Sequence, residues 1–276
     1  MSQKTGLKRN TTDKYYTCDN IVNDCYKYIK THKIINKKDL IIEPSAGNGA
    51  FINIIKKLSS NYKFYDIEPE NDNIIKQDFL QLEINKKSKI HIICNPPFGR
   101  QSSLAKKFIK KCCEFADTIS FILPKSFKKD SFKSTFDINY HLEFEKDLPE
   151  KSFTVNDEYY DVPCVFQIWV KKTEPRKLKK KEEPYMFTFV KKNEQPDISF
   201  RRVGVYAGKI DKNIDDKSIQ SHYFIKFNNY SDELLSHIIN KIKFNFDNTV
   251  GPKSISKPEL INEFNKVILE FEKNLK

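Results

Sequence analysis

Residues Ile92-Ile93-Cys94-Asn95-Pro96-Pro97-Phe98-Gly99 run from an apolar, strand-like stretch into two prolines, an aromatic and a glycine. Each proline fixes φ near −65° and removes a backbone donor, so the carbonyls of Asn95 and Pro96 are predicted to stay outside a regular ladder and to remain acceptors. Phe98 follows a turn already stiffened, and its ring is held at little entropic cost. A planar ring beside fixed acceptors suits an amino group on a flat heterocycle. Such an amine is a poor nucleophile because its lone pair is delocalised, and it needs orientation more than it needs a strong base. An Asn oxygen and a neighbouring carbonyl that accept its two N–H protons would aim the lone pair at an electrophile. The plainer reading of the same residues is a Pro-Pro turn closing a strand over a core Phe.

The elements around this loop read as alternating strands and helices. Asp19 or Asn20 would cap a helix that places Ile21, Val22, Cys25, Tyr28 and Ile29 at helical spacing. Leu40-Ile41-Ile42 is a short buried-type strand that enters Glu43-Pro44-Ser45-Ala46-Gly47-Asn48-Gly49-Ala50-Phe51 and then an amphipathic helix to about Leu58. This small-residue turn between strand and helix allows close approach of a ligand to the backbone and to the helix N-terminal amides. Lys63-Phe64-Tyr65-Asp66 is a second strand ending in acid, where a doubly wound fold holds ribose hydroxyls, so Asp66 is the candidate ribose ligand. Residues 74–80 form a third strand edge. A helix over about 103–115, a strand over 118–123, and two final strands over 140–144 and 162–170 complete a sheet whose last strand is predicted antiparallel.

Asn95-Pro96-Pro97-Phe98 resembles the catalytic motif of the S-adenosylmethionine-dependent amino-methyltransferases, a group that includes DNA adenine-N6, RNA guanine-N2 and protein glutamine enzymes. Glu43 to Phe51 resembles the first cofactor motif of the gamma-class adenine-N6 DNA enzymes. The resemblance covers roughly residues 14–170. It implies a Rossmann-like class I methyltransferase sheet (α/β) and S-adenosylmethionine as cofactor. Glu43, Ser45, Ala46, Gly47, Gly49 and Phe51 would cradle it, Ile67 would flank its adenine, Asp78 would accept from the adenine amine, and Phe79 would pack on the ring. Asn95 would also border the cofactor. Tyr15-Tyr16-Thr17, before the first helix, resembles the segment that lies against the cofactor's methionine part, with Tyr16 and Thr17 as the candidate cofactor contacts, although Cys18 stands where that motif usually has Pro. Pro124-Lys125-Ser126-Phe127 resembles a further family motif and makes Lys125 a candidate substrate contact. Phe153 resembles the aromatic that supports a flipped base, and it is nearly as well read as a core plug.

Composition adds partners and exclusions. Forty-nine Lys and Arg against 37 Asp and Glu give the 276-residue chain a formal net charge of +12, a field that favours a polyanion, although Lys, Asn and Ile enrichment also follows from an AT-rich coding sequence. The six cysteines show neither a disulfide framework nor zinc spacing, so reduced thiols and no metal are expected. No apolar run reaches about 20 residues and the N-terminus has no hydrophobic leader core, which predicts a soluble, intracellular chain. The domains read as 1–173 catalytic, 174–184 basic linker within a charged run from Lys171 to Lys181, and 185–276 a small α+β target-recognition domain with Arg201, Arg202 and Lys209 as candidate nucleic-acid contacts. Residues through Arg9 read as a basic arm. The resemblance thus implies transfer of a methyl group to adenine N6 in DNA by a stand-alone enzyme, with RNA adenine-N6 or guanine-N2 methylation, and an inactive nucleic-acid-binding subunit, as the alternatives.

Overall fold

The computed structural model of the chain describes residues 15–156, 158–178, 181–246 and 252–274. The basic arm through Arg9 and the linker lysines Lys179 and Lys180 lie outside the described residues. The chain forms two compact units, Met1–Lys177 and Leu178–Lys276, dividing inside the stretch read as a linker.

In chain order the first unit contains β1 (Tyr16–Thr17), α1 (Asp19–His32), β2 (Leu40–Glu43), α2 (Ile52–Leu58), β3 (Asn61–Asp66), β4 (Ile75–Lys76), β5 (Ile90–Cys94), α3 (Ser103–Cys113), β6 (Thr118–Pro124), α4 (Asp130–Lys133), β7 (Tyr140–Asp147), β8 (Phe153–Val155), β9 (Glu158–Tyr160) and β10 (Cys164–Lys171). Seven of these strands form one sheet in the order β4-β3-β2-β5-β6-β10-β7. The pairs β3–β4, β2–β3, β2–β5 and β5–β6 are parallel. Strand β10 slots antiparallel between β6 and β7. This is the Rossmann-like α/β arrangement expected, a mostly parallel sheet whose antiparallel strand lies one place in from the edge.

The strands read as unbroken apolar runs because helices cover both faces. Ile41, Ile93, Ile122, Phe166 and Ile168 pack with Ile21, Val22, Cys25 and Ile29 of α1 and with Ile52, Ile54 and Ile55 of α2. Their alternates Ile42, Ile92, Leu123, Val165 and Trp169 pack with Ala105, Phe108, Ile109 and Cys112 of α3. Burying one such Ile or Phe contributes roughly 1.5–3 kcal/mol. Helix α1 begins one residue earlier than Asp19 capping would give and two earlier than Asn20 capping would: Cys18 is the N-cap, without a side-chain bond, and Asp19 sits in the first turn.

Arg176 is not a solvated tether residue. Its guanidinium donates to the carbonyls of Lys133, Phe136, Asp137 and Tyr140 and lies 5.5 Å over the Trp169 ring, itself stacked on Phe136 at 4.0 Å. A planar five-donor cation satisfies several carbonyls at once, which ties the chain after β10 to the rest of the first unit.

The second unit holds β11 (Phe187–Val190), β12 (Ile198–Arg201), β13 (Ile210–Asp211), β14 (His222–Phe227), α5 (Asp232–Lys241) and α6 (Lys257–Asn274). Its antiparallel sheet has the order β11-β14-β12-β13, with Phe187, Phe200, Ile225, Leu235, Ile238 and Phe264 in the core. It is the small α+β unit expected C-terminal to the main sheet in the chain.

Candidate active site

The chain leaves β2, builds β3 and β4 outward on one side, then returns to β5 on the other, so strand order reverses between β2 and β5. Open α/β sheets bind ligands in the crevice at such a reversal, beyond the carboxyl ends of the strands. A cavity of about 420 Å³ lies there, within the range of small-molecule sites. It brings together Tyr16, Thr17, Glu43, Ser45, Ala46, Gly47, Phe51, Asp66, Ile67, Asn95, Pro96, Pro97 and Phe98, residues the sequence marked in four separate stretches.

The glycine turn after β2 is held by the acid after β3. Asp66 Oδ2 accepts from the Gly47 amide at 2.7 Å and from Ser45 Oγ at 3.4 Å, while Oδ1 accepts from the Glu68 amide at 2.8 Å. Gly47 adopts a positive φ of 52°, and a Cβ there would come within 3.6 Å of the Tyr16 ring. Its amide is therefore committed to Asp66 and does not face a ligand. Helix α2 starts only at Ile52, so a ligand meets the turn and not the helix end. Asp66 borders the cavity as expected, yet it also fastens two loops together.

Glu43 carries the most informative atom. It is buried, it borders the cavity, and its Oε2 has no hydrogen-bond partner. Burial first, and the nearby Asp66 charge second, push its carboxyl well above the ordinary range. A buried orphan acceptor costs about 1–3 kcal/mol unless something satisfies it. With Asp66, Glu68 and Glu70 also lining the cavity, the donor set fits a ligand with ammonium and sulfonium charge and ribose hydroxyls, which S-adenosylmethionine has.

The second half of the site is the loop after β5. Asn95 Nδ2 donates to the Tyr15 carbonyl and to Thr17 Oγ1, both at 3.1 Å. With both donor hydrogens used, Oδ1 is the functional atom left, and among the described residues no donor is bonded to it. The Phe98 carbonyl is taken by the amides of Leu104 and Ala105, which locks the loop to the start of α3, whereas the Pro96 carbonyl accepts from no backbone amide among the described residues. Gly99 permits the turn with φ 67°, and a Cβ would meet Leu104 Cβ at 2.8 Å.

Residues 34–163 match the EDM2 methyltransferase-like domain. Over 120 residues the chain is 31% identical to Protein ENHANCED DOWNY MILDEW 2 of Arabidopsis thaliana, a stretch that is 39% of this chain and 9% of that protein. The chain thus spans only a small part of that relative's length. Among solved structures, a Pyrococcus horikoshii protein provisionally described as an RNA methyltransferase superposes with a TM-score of 0.47 at 14% identity, covering 60% of this chain and 92% of its own. The 23S rRNA methyltransferase ErmE gives 0.46 at 14% identity, covering 58% and 71%. The matched segment runs from before β2 through β9 and includes both the glycine turn and the Asn-Pro-Pro-Phe loop.

Other marked residues lie elsewhere. Asp78 caps the short helical turn 79–81, accepting from the Leu80 amide at 2.9 Å, and Phe79 is a core residue stacked on Phe108. Neither lines the cavity, because the turn that follows β4 points the ring inward to the apolar cluster. Gly49 likewise stays behind the cavity wall; its φ of 89° and its packing on Ile52 make it a turn residue. Phe153 is fully buried and is a core plug. It packs edge-on under Tyr15 at 6.4 Å, and the aromatic that reaches the cavity is Tyr15 itself. Lys125 Nζ is paired with Asp147 at 3.1 Å, on a carboxylate that Lys128 also holds. Arg201 and Arg202 belong to the second unit and each gives a nitrogen to a backbone carbonyl.

Tyr15, marked with Tyr16 and Thr17, does line the cavity, whereas sequence reasoning missed Glu68 and Glu70 as cavity residues. Tyr15 and Tyr16 are carried by a separate three-stranded sheet, β1-β8-β9, in which Tyr16 opposes Thr154 and Thr17 opposes Phe153. Across the cavity the Tyr16 hydroxyl donates to the Glu70 carboxylate, 2.6 Å from Oε1 and 2.8 Å from Oε2. The only signal for Glu70 in the sequence was its place just beyond the acid that ends β3.

Proposed function

We propose that the protein transfers a methyl group from S-adenosylmethionine to the N6 amino group of adenine in DNA. The observation that carries this reading is the Asn95 amide, whose Nδ2 is pinned by Tyr15 and Thr17 so that Oδ1 is presented as an acceptor beside Pro96 and Phe98. When bound, the cofactor supplies an electrophilic methyl on a positively charged sulfur.

Asn95 Oδ1 and the Pro96 carbonyl accept the two amine hydrogens and hold the nitrogen lone pair toward that methyl. Phe98 offers its ring face to a base turned out of its stack. Glu68 and Glu70 place negative charge around the cofactor, Glu43 offers its unpartnered carboxyl oxygen as an acceptor, and Asp66 keeps the glycine turn and the ribose side in register. As positive charge grows on the amine, Asn95 Oδ1 and the Pro96 carbonyl would hold its hydrogens until one proton is lost to solvent. The formal net charge of +12 supports a polyanionic substrate, and the likeness of Glu43 to Phe51 to the gamma-class motif supports adenine.

Mass spectrometry of nucleosides from the DNA and RNA of a methylation-deficient host expressing the chain tests base and polymer together. N6-methyladenine in DNA, absent with Asn95→Ala, is the expected result. The modified base appearing only in RNA moves the substrate to RNA, and no modified base in either polymer removes the enzymatic reading.

A further inference from the structure

In the second unit, strand β12 stops at Arg201 although the residues that follow, Arg202-Val203-Gly204-Val205-Tyr206, still alternate in a strand-like way. Gly204 and Gly208 both take φ of 97°, and the chain between them folds into a tight loop. Ala207 donates to the Gly204 carbonyl and Lys209 to that of Tyr206, both at 3.0 Å, while Gly208 and Arg201 tie the loop ends together. From the segment before α6, the Lys253 carbonyl accepts from the Gly204 amide at 2.9 Å and Ile255 donates to Arg202 at 2.8 Å. The loop is thus fixed on both sides.

What this fixed loop displays is apolar. Val205 is 55% exposed and Tyr206 71% exposed, the highest value among the exposed large apolar side chains described. A rigid scaffold that holds a ring in water without packing it offers a preformed contact surface at small entropic cost. Cations flank it along the backbone: Arg201 and Arg202 precede the loop, Lys209 follows it, and the Lys253 main chain is bonded to Gly204, with the Arg202 guanidinium over the Tyr223 ring at 5.6 Å and Lys253 Nζ over Phe246 at 4.9 Å. Arg201 Nε is bonded to the Val203 carbonyl at 2.9 Å and Arg202 Nη2 to the Gln220 carbonyl at 2.6 Å, which orients both guanidinium groups. The acids farther along the hairpin, Asp211 and Asp216, are paired with Lys217 at 3.1 and 2.9 Å.

An exposed ring between cations matches a strand of nucleic acid, in which each base has a π-face and each phosphate a charge. We propose that loop 204–208 is a stacking finger, with Tyr206 packing on an unpaired base and Arg201, Arg202, Lys209 and Lys253 neutralising the phosphates around it. This rests on the reading that the substrate is a nucleic acid, and it assigns the non-electrostatic part of that binding to one side chain.

Fluorescence anisotropy of the full chain with a labelled single-stranded DNA of about 20 nucleotides, and with the matching duplex, tests it across a salt series. Tyr206→Ala is expected to weaken single-strand binding by roughly 5- to 100-fold with an unchanged salt slope, and Tyr206→Trp to preserve it. Lys209→Gln is expected to flatten the log–log salt slope by about 0.7 on the single strand. Unaltered melting temperatures identify both Tyr206 variants as folded, since the ring packs on no core. Wild-type affinity in folded Tyr206→Ala overturns the finger while leaving the methyltransferase reading intact. A loss confined to the duplex overturns stacking on an unpaired base. Failure of the wild-type chain to bind either probe overturns the finger together with the nucleic-acid substrate, whereas Asn95→Ala should bind like wild type and so separates catalysis from capture.

Discussion

The two ends of the main sheet each bury a titratable side chain, and they treat it in opposite ways. At the amino end, His91 is 1% exposed, with Nδ1 2.8 Å from Thr118 Oγ1 and Nε2 3.1 Å from Asp39 Oδ2, so both ring nitrogens are satisfied. At the carboxyl end, Glu43 is 2% exposed and one of its oxygens has no partner. A closed polar network stabilises and specifies, whereas an open one is tolerated where a ligand completes it. The difference separates the structural end of this sheet from the functional end without any reference to family.

The comparison is sharpest for Asn95→Ala. Removing the acceptor should lower methyl transfer by about 10²–10³-fold while cofactor affinity by calorimetry stays within about 3-fold of wild type. Retained turnover in a folded variant removes Asn95 from the catalytic role. His91→Leu at the other end should do the reverse, costing about 2–4 kcal/mol of stability through the unpaired Thr118 and Asp39 groups with no change in cofactor affinity, as denaturant unfolding and calorimetry would report. An effect on cofactor binding there would break the distinction between the two ends.

Opposite pH dependences should follow as well. Burial lowers the His91 pKa and, through the His91 bond and the Asn36 amide, Asp39 is also held low. Both groups bind more protons in the unfolded chain, so stability falls as pH drops below the ordinary histidine range and on into the carboxylate range. Glu43, held high, binds more protons in the folded chain, so its stability contribution is present at low pH and lost as pH rises from the ordinary carboxylate value through its raised one. Glu43→Gln should therefore flatten the alkaline side of the stability profile of the ligand-free protein. The same change should weaken S-adenosylmethionine binding by about 10- to 100-fold, since a charge-assisted contact contributes about 1.5–3 kcal/mol. Unchanged affinity together with an unchanged profile would place Glu43 with His91 as a structural group.

The smallest expected effect is that of Tyr16→Phe. Losing its bond to the exposed Glu70 should raise the cofactor dissociation constant by about 2- to 10-fold, with little change in unfolding midpoint. A stability loss without a binding effect would assign the pair to the small sheet alone.

Much of this site was legible because its chemistry is local in sequence. Glu43 to Phe51 is a strand, turn and helix in one run, and Asn95 to Phe98 carries its own stiffness. Legibility failed where a side chain's role depends on residues far away. Tyr15 reaches Asn95 across 80 positions through pairing of β1 with β8, and nothing near Tyr15 announces that pairing. Phe153 looked like a base support because it is aromatic and follows the last motif, yet its strand register turns it into the core. Asp78 fits both a turn cap and a ligand by residue type, and the Leu80 amide decides between them. Arg176 sits in a lysine-rich run without apolar period, and only the carbonyls around Trp169 distinguish it from its neighbours. In the second unit, the pattern over 200–206 suits a strand until Gly204 turns it.

The pairing of β1 with β8 also bears on the order in which the molecule comes together. Contacts this remote in sequence are closed late, because the chain between them must first be ordered. The parallel strands β2, β3, β5 and β6 are complete by residue 124, but the two acceptors that aim Asn95 are brought into place only after Phe153 and Thr154 have met Thr17 and Tyr16. A nascent chain halted at about residue 150 therefore has the strands that flank the crevice and an Asn95 side chain still free to rotate. Competence to react is acquired at the end of folding of the first unit, well after its compactness.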